Sequence, residues 1–596
     1  MNANANATWS GTEPGARRLN GPQTTGREYR DLSVPEFRVI ADRDVVATMR
    51  DGAHLLADVY RPESPAQFPA LVAASCYPRQ IQDLGAPSGF IEAGATDFFV
   101  PRGYVHVIAN VRGTAQSDGT FGLFDSQERR DLHDLVEWAA AQPWCDGRVG
   151  MVGISYFAAA QVGAAVEHPP HLQAIFPVAL SADLYGVTRH HGLLNADFIS
   201  AWIFAVALAA HHDAGLWRGT LFDLARRVLA VPALHERTGH AHGEAALATL
   251  RSVLRGRYDA EPWDRLWERA AVEHPLRDAF WDERSVLPAL GSITVPTYLG
   301  CDWDNVPMHL PGTFEAWRAL RGRPDVRMGL LPPQGLSWPW ESLHVEALAW
   351  FDHWLKDRDT GITDGPPIRY WLAGAEGWRT ADDWPPPGSV LAPWRLGPTG
   401  VLAAPEDEQD AGDATGARAE GRSFLRRTED TRRPPHVHPL TLPPWLSWDS
   451  SRLDHHHDVV GDLELHLVAT ITDLDAAWIV VLQDVAPDGS VSDVTAGHLR
   501  AALRAVDESA SRPGAPVLPC RVAEAVPPGE PVSYRIPLVP VAHRFRTGHR
   551  LRLVVAGDDQ DPSVPAPLGM RHAIPGGSAR STVHPVSTLL LPILRG

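Results

Sequence analysis

Cysteine is scarce in this chain of 596 residues. The four present are Cys76, Cys145, Cys301 and Cys520, and no two form a CxxC pair. That scarcity argues against a disulfide framework or a zinc knuckle. Long apolar runs are lacking too. No stretch approaches the ~18 uninterrupted apolar residues of a membrane span. The opening MNANANATWSGTEPGARRLNGPQ carries no apolar run, so no secretory signal is expected. A cytoplasmic location is the expectation. Net positive charge is also missing: the formal charge is -18, which would repel phosphates, so neither nucleic acid nor an anionic membrane is an expected partner. No GxGxxG pattern and no glycine-rich loop before a helix is found, so no nucleotide cofactor is implied.

What is present is ordinary globular material, 44% hydrophobic and 21% charged, enough to fill several cores. The length suggests about three to four domains. Residues 1–35 are polar and without period, and read as a disordered or draped arm. From Phe37 strand-length apolar runs end in Pro, Gly or Asp turn signals. A helical pattern follows, with Leu132, Leu135, Val136 and Ala139 at i, i+3, i+4, i+7. Alternating strand and helix signals over 36–182 and 286–360 predict an α/β domain with a mostly parallel, doubly wound sheet. Residues 183–285 break the rhythm with four helical segments, read as a cap inserted over a pocket. From 361 to 596, starting with PPIRYWLAG, β-runs separated by Pro/Gly turns predict an all-β sandwich or jelly roll.

Gly153-Ile154-Ser155-Tyr156-Phe157 follows an apolar strand and opens a helix. That is the context of a nucleophile elbow, a turn so tight that its neighbours must be small and which presents the serine hydroxyl at a helix N-terminus. There the free amides and the helix dipole favour a developing anion. Ser155 is therefore the candidate nucleophile.

The segment PWCDGRVGMVGISYFAAAQ resembles the cocaine esterase/NonD hydrolases and their X-Pro dipeptidyl-peptidase relatives, whose elbow reads G-x-S-Y-x-G; Ala158 replaces the last glycine. ANVRGTAQSDGTF, FDHWLK with DTGI, WRTADDWPPP, VLQDVAPDGSVSDVTAGHLRAALR and FRTGHRLRLVVAG are similar to further family segments, so the likeness spans nearly the whole chain beyond the arm. It implies an α/β-hydrolase domain, an inserted helical cap and a C-terminal jelly roll, with ester or amide substrates attacked by serine. It also implies that the Tyr77 hydroxyl and the backbone N–H of Tyr156 line an oxyanion hole. Its jelly-roll domains allow a homodimer.

A serine hydroxyl needs a histidine to take its proton and an acid to fix that histidine's tautomer. Registering Cys301-Asp302-Trp303-Asp304-Asn305 and His309 on the family pattern puts Asn305 at the acid position, with Asp304 one residue early and Asp302 three early. Gln334-Gly335 falls where His-Gly is expected. Glutamine cannot take a proton near neutral pH. His344 and His353 read as structural, and His309 as polar pocket lining. Amides thus stand where the relay acid and base belong.

Three readings follow. A member of this fold could be repurposed for a non-hydrolytic step on a small molecule (cyclisation, C–C bond formation or addition) in natural-product biosynthesis, the reading the two amides favour. It could be a serine ester or amide hydrolase using Asp304 and another histidine. It could be a ligand-binding pseudo-enzyme. A small molecule is the partner in each. Phe198 and Trp202 of the cap, with Phe157, Trp303, His309 and Trp338, are the expected substrate contacts, while Phe204, Trp217 and Trp263 read as lining or cap core. The clusters His190-His191, His211-His212 and His455-His456-His457 imply no metal, because adjacent residues on a strand point apart.

Overall fold

The computed structural model describes residues 25–84, 92–210, 263–333, 343–405, 421–426, 442–566, 570–576 and 579–595. Its first layer is a ten-stranded sheet. In spatial order the strands are Val39–Thr48, His54–Pro62, Val105–Asn110, Phe68–Ser75, Cys145–Ile154, Leu172–Val178, Thr297–Asp302, Val326–Leu331, Ile368–Leu372 and Gly377–Ala381. The pairs from Val105–Asn110 through Ile368–Leu372 are all parallel, while both ends of the sheet are antiparallel. The central strands read as continuous apolar runs because helices cover both faces. Phe68–Ser75 and Thr297–Asp302, for instance, are buried almost throughout.

Helix Ser126–Ala140 starts at Asp125, whose carboxylate accepts the Glu128 N–H, a standard N-cap. It buries Leu132, Leu135, Val136 and Ala139 on one face, as the period requires. The N-terminal arm is draped where it is described. The Thr25 N–H and hydroxyl donate to Glu346, and those of Ser33 donate to Asp352, tying the arm to helix His344–Lys356.

The second layer is an eleven-stranded sheet whose named strand pairs are all antiparallel. Its outermost strands, Leu402–Ala403 and Trp445–Asp449, approach through a bridge between Val401 and Asp449, so the sheet nearly closes on itself. Closure of this kind removes unpaired strand edges. PPIRYWLAG was expected in this domain. Ile368–Leu372 instead pairs with Val326–Leu331 and extends the first sheet, because its apolar residues meet the α/β core; the second sheet starts at Ser389. The two layers are joined by Arg318 to Asp462 at 2.6 Å and by paired backbone bonds of Ala373 with Ala542 and Arg544.

Between them lies the start of the expected cap. Helix Ala196–Ala210 and the helix Trp263–Glu268 are formed, while two further expected cap helices and Trp217 fall outside the described residues. Among the described residues no helix is long and apolar enough to cross a membrane.

Candidate active site

Strand Cys145–Ile154 runs straight into helix Tyr156–Ala165, and Ser155 is the single residue between them, at φ 57 and ψ -111. A non-glycine residue at positive φ is strained and persists only when its surroundings hold it. Here the Ser155 N–H donates to Val178 O at 3.0 Å, and its carbonyl accepts from Ala159 N–H at 2.9 Å. Gly153 is required by space: a Cβ there would lie 2.4 Å from Phe157 Cβ, at a φ of 134. Ala158 is fully buried and fits where the family pattern has glycine.

His309 stands against this serine. Its Nε2 lies 3.2 Å from Ser155 Oγ, and it is the residue preceding helix Leu310–Leu320. Its other nitrogen, Nδ1, is 2.7 Å from Asn305 Oδ1. The Asn305 Nδ2–H donates to Asp302 Oδ1 at 2.6 Å, and the Asn305 backbone N–H reaches the same oxygen at 3.2 Å. These contacts set the protons. Facing an accepting carboxylate, Asn305 must turn its NH2 to Asp302 and its oxygen to His309. The imidazole then carries its proton on Nδ1 and leaves the Nε2 lone pair to accept from the Ser155 hydroxyl. Burial lowers the His309 pKa to about 4, so the ring is neutral near pH 7.

This corrects the expectation that Ser155 has no base. Sequence registration looked for the histidine after the following strand. The structure brings it from the loop after Thr297–Asp302, one helical turn beyond Asn305. The contact that orients the ring at Nδ1 comes from Asn305, where Asp304 was the expected acid. Gln334 and Trp338 lie outside the described residues. His344 is buried and stacked on Phe98, and His353 bonds Arg358 O.

Tyr77 follows strand Phe68–Ser75 and is buried. Its oxygen accepts the Trp202 Nε1–H at 2.9 Å, leaving the phenolic proton to be donated onward, and the hydroxyl also interacts with Ser155. Burial raises its pKa well above 10, so that proton stays in place. Tyr156 is the first residue of its helix, and its amide is one of those a helix leaves without an internal acceptor. Its side chain stacks on Phe124 at 4.0 Å, and its hydroxyl donates to Glu128 Oε1 at 2.7 Å. Burial holds the Glu128 carboxyl up at about 8.

Open space of about 390 Å³ fronts Ser155, lined by His309, Tyr77 and Tyr156 and by the apolar side chains of Val187, Phe198, Ile199, Trp202 and Met308, among others. Phe198, Trp202 and His309 thus stand where substrate contacts were expected. Trp303 and Phe157 do not. Trp303 donates to Trp371 O and stacks on Phe314 in the core, and Phe157 is buried behind Gly153. Sequence reasoning missed Met308, Val187, Ile199 and the Asp302 relay. The spacing of Asp302, Asn305 and His309, three then four residues apart, was the available signal, since such positions share one face of a helical turn.

Comparison with known proteins places this geometry. Residues 51–341 match the X-Pro dipeptidyl-peptidase (S15 family) and residues 360–584 match the X-Pro dipeptidyl-peptidase C-terminal non-catalytic domain. The chain belongs to this S15 hydrolase family. Among relatives, the cocaine esterase of a Rhodococcus species is 26% identical over 561 residues, covering 87% of this chain and 90% of its own. A Mycobacterium bovis protein named by inference as a serine esterase is 28% identical over 601 residues, covering 88% and 91%. A CocE/NonD family hydrolase from Staphylococcus aureus superposes with a TM-score of 0.71 at 21% identity, covering 93% of this chain and 94% of that one. An α-amino acid ester hydrolase superposes at 0.64 with 19% identity, covering 96% and 99%. Both likenesses extend over nearly the whole chain and so share its fold, an α/β-hydrolase layer followed by an antiparallel β domain.

Proposed function

We propose that this S15 family member is a serine ester or amide hydrolase acting on a small molecule through an acyl-enzyme on Ser155. The observation that carries the reading is the 3.2 Å approach of His309 Nε2 to Ser155 Oγ, within reach for general-base catalysis. In this mechanism the Ser155 proton passes to His309 Nε2 as Oγ adds to the substrate carbonyl carbon. The oxyanion accepts hydrogen bonds from the Tyr77 hydroxyl and the Tyr156 N–H. His309 returns the proton to the leaving group as its bond to the carbonyl breaks. Water then attacks the acyl-enzyme, gives its proton to His309, and the acid departs as Ser155 recovers the proton. The aromatic and aliphatic lining suits an apolar acyl or leaving group.

A second reading has one observation in its favour. Asn305, an amide, occupies the place beside His309 where a carboxylate would best stabilise an imidazolium. A non-hydrolytic step on a small molecule, as in natural-product biosynthesis, asks less of that stabilisation. One experiment separates the two: p-nitrophenyl ester hydrolysis with fluorophosphonate labelling, on the parent chain and on Ser155→Ala and His309→Ala. Hydrolysis at ordinary enzyme rates, with labelling lost in Ser155→Ala and turnover reduced by at least ~10⁴-fold in His309→Ala, supports the hydrolase. No labelling and no turnover of simple esters overturns it.

A further inference from the structure

Away from Ser155, three buried imidazoles converge from three separate segments. His190 lies on the short strand Arg189–His190, which pairs with Leu193–Leu194 just before helix Ala196–Ala210. His498 belongs to strand Val491–Arg500 of the β domain, and His572 to the loop that follows strand Arg550–Ala556. One ring nitrogen from each lies within 4.8 Å of the others. We propose that His190, His498 and His572 form a binding site for a divalent transition ion, zinc above all, which pins the base of the cap to the β domain.

The ring spacing fits an ion. A metal bound at ~2.1 Å sits about 3.2 Å from each ring centre, so tetrahedral placement separates ring centres by ~5.2 Å. The observed separations are 5.0 Å for His190 and His572, 5.4 Å for His190 and His498, and 4.5 Å for His498 and His572. The protons fit as well. His572 Nδ1 is 2.5 Å from Asp559 Oδ2, and the His572 N–H donates to the same carboxylate. That contact holds the imidazole proton on Nδ1 and turns the Nε2 lone pair towards His190 Nδ1 at 2.7 Å. A carboxylate behind a histidine is the usual outer support of a metal ligand. Loading the ion requires His190 Nδ1 and His572 Nε2 to part to about 3.4 Å, the tetrahedral N···N separation at such a metal.

The position gives the ion a structural task. The Ala573 N–H donates to Leu194 O at 2.8 Å, and Asn195 Nδ2 reaches Met570 Sδ at 3.4 Å. The same junction therefore anchors the start of helix Ala196–Ala210, which carries Phe198 and Trp202 to the pocket. The pairing also escapes the sequence rule that adjacent histidines diverge, since no two of these three are adjacent.

The test uses the full-length chain, stripped with EDTA, reloaded with ZnCl2 or CoCl2, freed of excess ion, and read by metal analysis and visible absorption. The expected result is retention of about one ion per chain, a thermal midpoint that rises with zinc concentration, and the strong visible bands of four-coordinate Co2+. Asp559→Asn should weaken binding by ~10–100-fold and His498→Gln should abolish it, while Ser155→Ala keeps it. Absence of both retained zinc and Co2+ bands in the parent chain overturns the site, and that measurement needs no variant to fold. Retention unchanged in both Asp559→Asn and His498→Gln also overturns it, by placing the ion elsewhere.

Discussion

Replacing Asp302 by asparagine tests the relay behind Ser155 more sharply than removing the serine itself. The Asp302 carboxylate holds Asn305, and Asn305 holds the ring. Two effects follow from the substitution. With hydrogen bonds of 2.6 and 2.7 Å on either side of the amide, a unit charge taken at roughly 7 Å in an effective dielectric near 20 stabilises the transient imidazolium by ~2.4 kcal/mol, or about 50-fold in rate. The second effect is geometric. Two facing amides no longer force Asn305 to present its oxygen to His309, so the ring can take the tautomer that puts a proton on Nε2, where it blocks the serine; a wrong tautomer costs up to ~10⁴-fold in a comparable triad. Together kcat in p-nitrophenyl ester hydrolysis should fall by ~10²–10⁴-fold. KM should hold, because Asp302 is not among the residues lining the pocket. Steady-state kinetics with a circular-dichroism check on folding would measure this. A loss under ~3-fold in a folded variant would show that the carboxylate contributes neither charge nor tautomer control, and the relay would be refuted.

Other consequences are as direct. Burial depresses the His309 pKa to about 4, so the neutral base persists to lower pH than an ordinary histidine near 6.5. The acid limb of kcat/KM should therefore stay flat through pH 6 and fall only as pH drops towards about 4; a midpoint near ~6.5 would contradict it. Tyr77→Phe removes the phenolic donor beside Ser155 and should lower kcat by ~10²–10³-fold, with Ser155 still labelled by a fluorophosphonate; unchanged kcat would remove Tyr77 from the oxyanion site. Gly153→Ala forces a Cβ to within 2.4 Å of Phe157 Cβ at a φ of 134 and should cost about 2–4 kcal/mol of stability, read as a lowered denaturant midpoint.

The elbow was legible because its signal is local: an apolar strand, G-x-S and a helix start are contiguous, and their geometry follows from a few dihedrals. The parallel sheet was legible for the same reason, each strand and helix announcing its period in sequence. The base was not. His309 acquires its role through the loop after strand Thr297–Asp302, which turns its ring towards Ser155, 154 positions away in the chain, and no periodicity records that approach. Trp303 shows the converse error. It lies in a catalytic loop yet faces the core, where its indole N–H satisfies Trp371 O. Ile368–Leu372 looked like its β-rich neighbours because strand propensity does not say which sheet a strand joins; its pairing with Val326–Leu331 does.

An amide between the ring of His309 and the Asp302 carboxylate has a coherent physical logic. A carboxylate in a dry site carries a heavy desolvation cost unless its lone pairs are satisfied, and Asp302, 2% exposed, is as buried as the ring it serves. Moved back by one amide, the Asp302 carboxylate accepts two N–H groups from Asn305 and still fixes the tautomer. The cost is borne by basicity. A ring with a pKa near 4 takes the serine proton reluctantly, and once charged gives it readily to a leaving group. Attack, not leaving-group departure, is then the harder half of acylation. The donors at Tyr77 and Tyr156, which act on the oxyanion formed in that half, must offset it, and carbonyls that are already electrophilic, as in activated esters, depend least on the base.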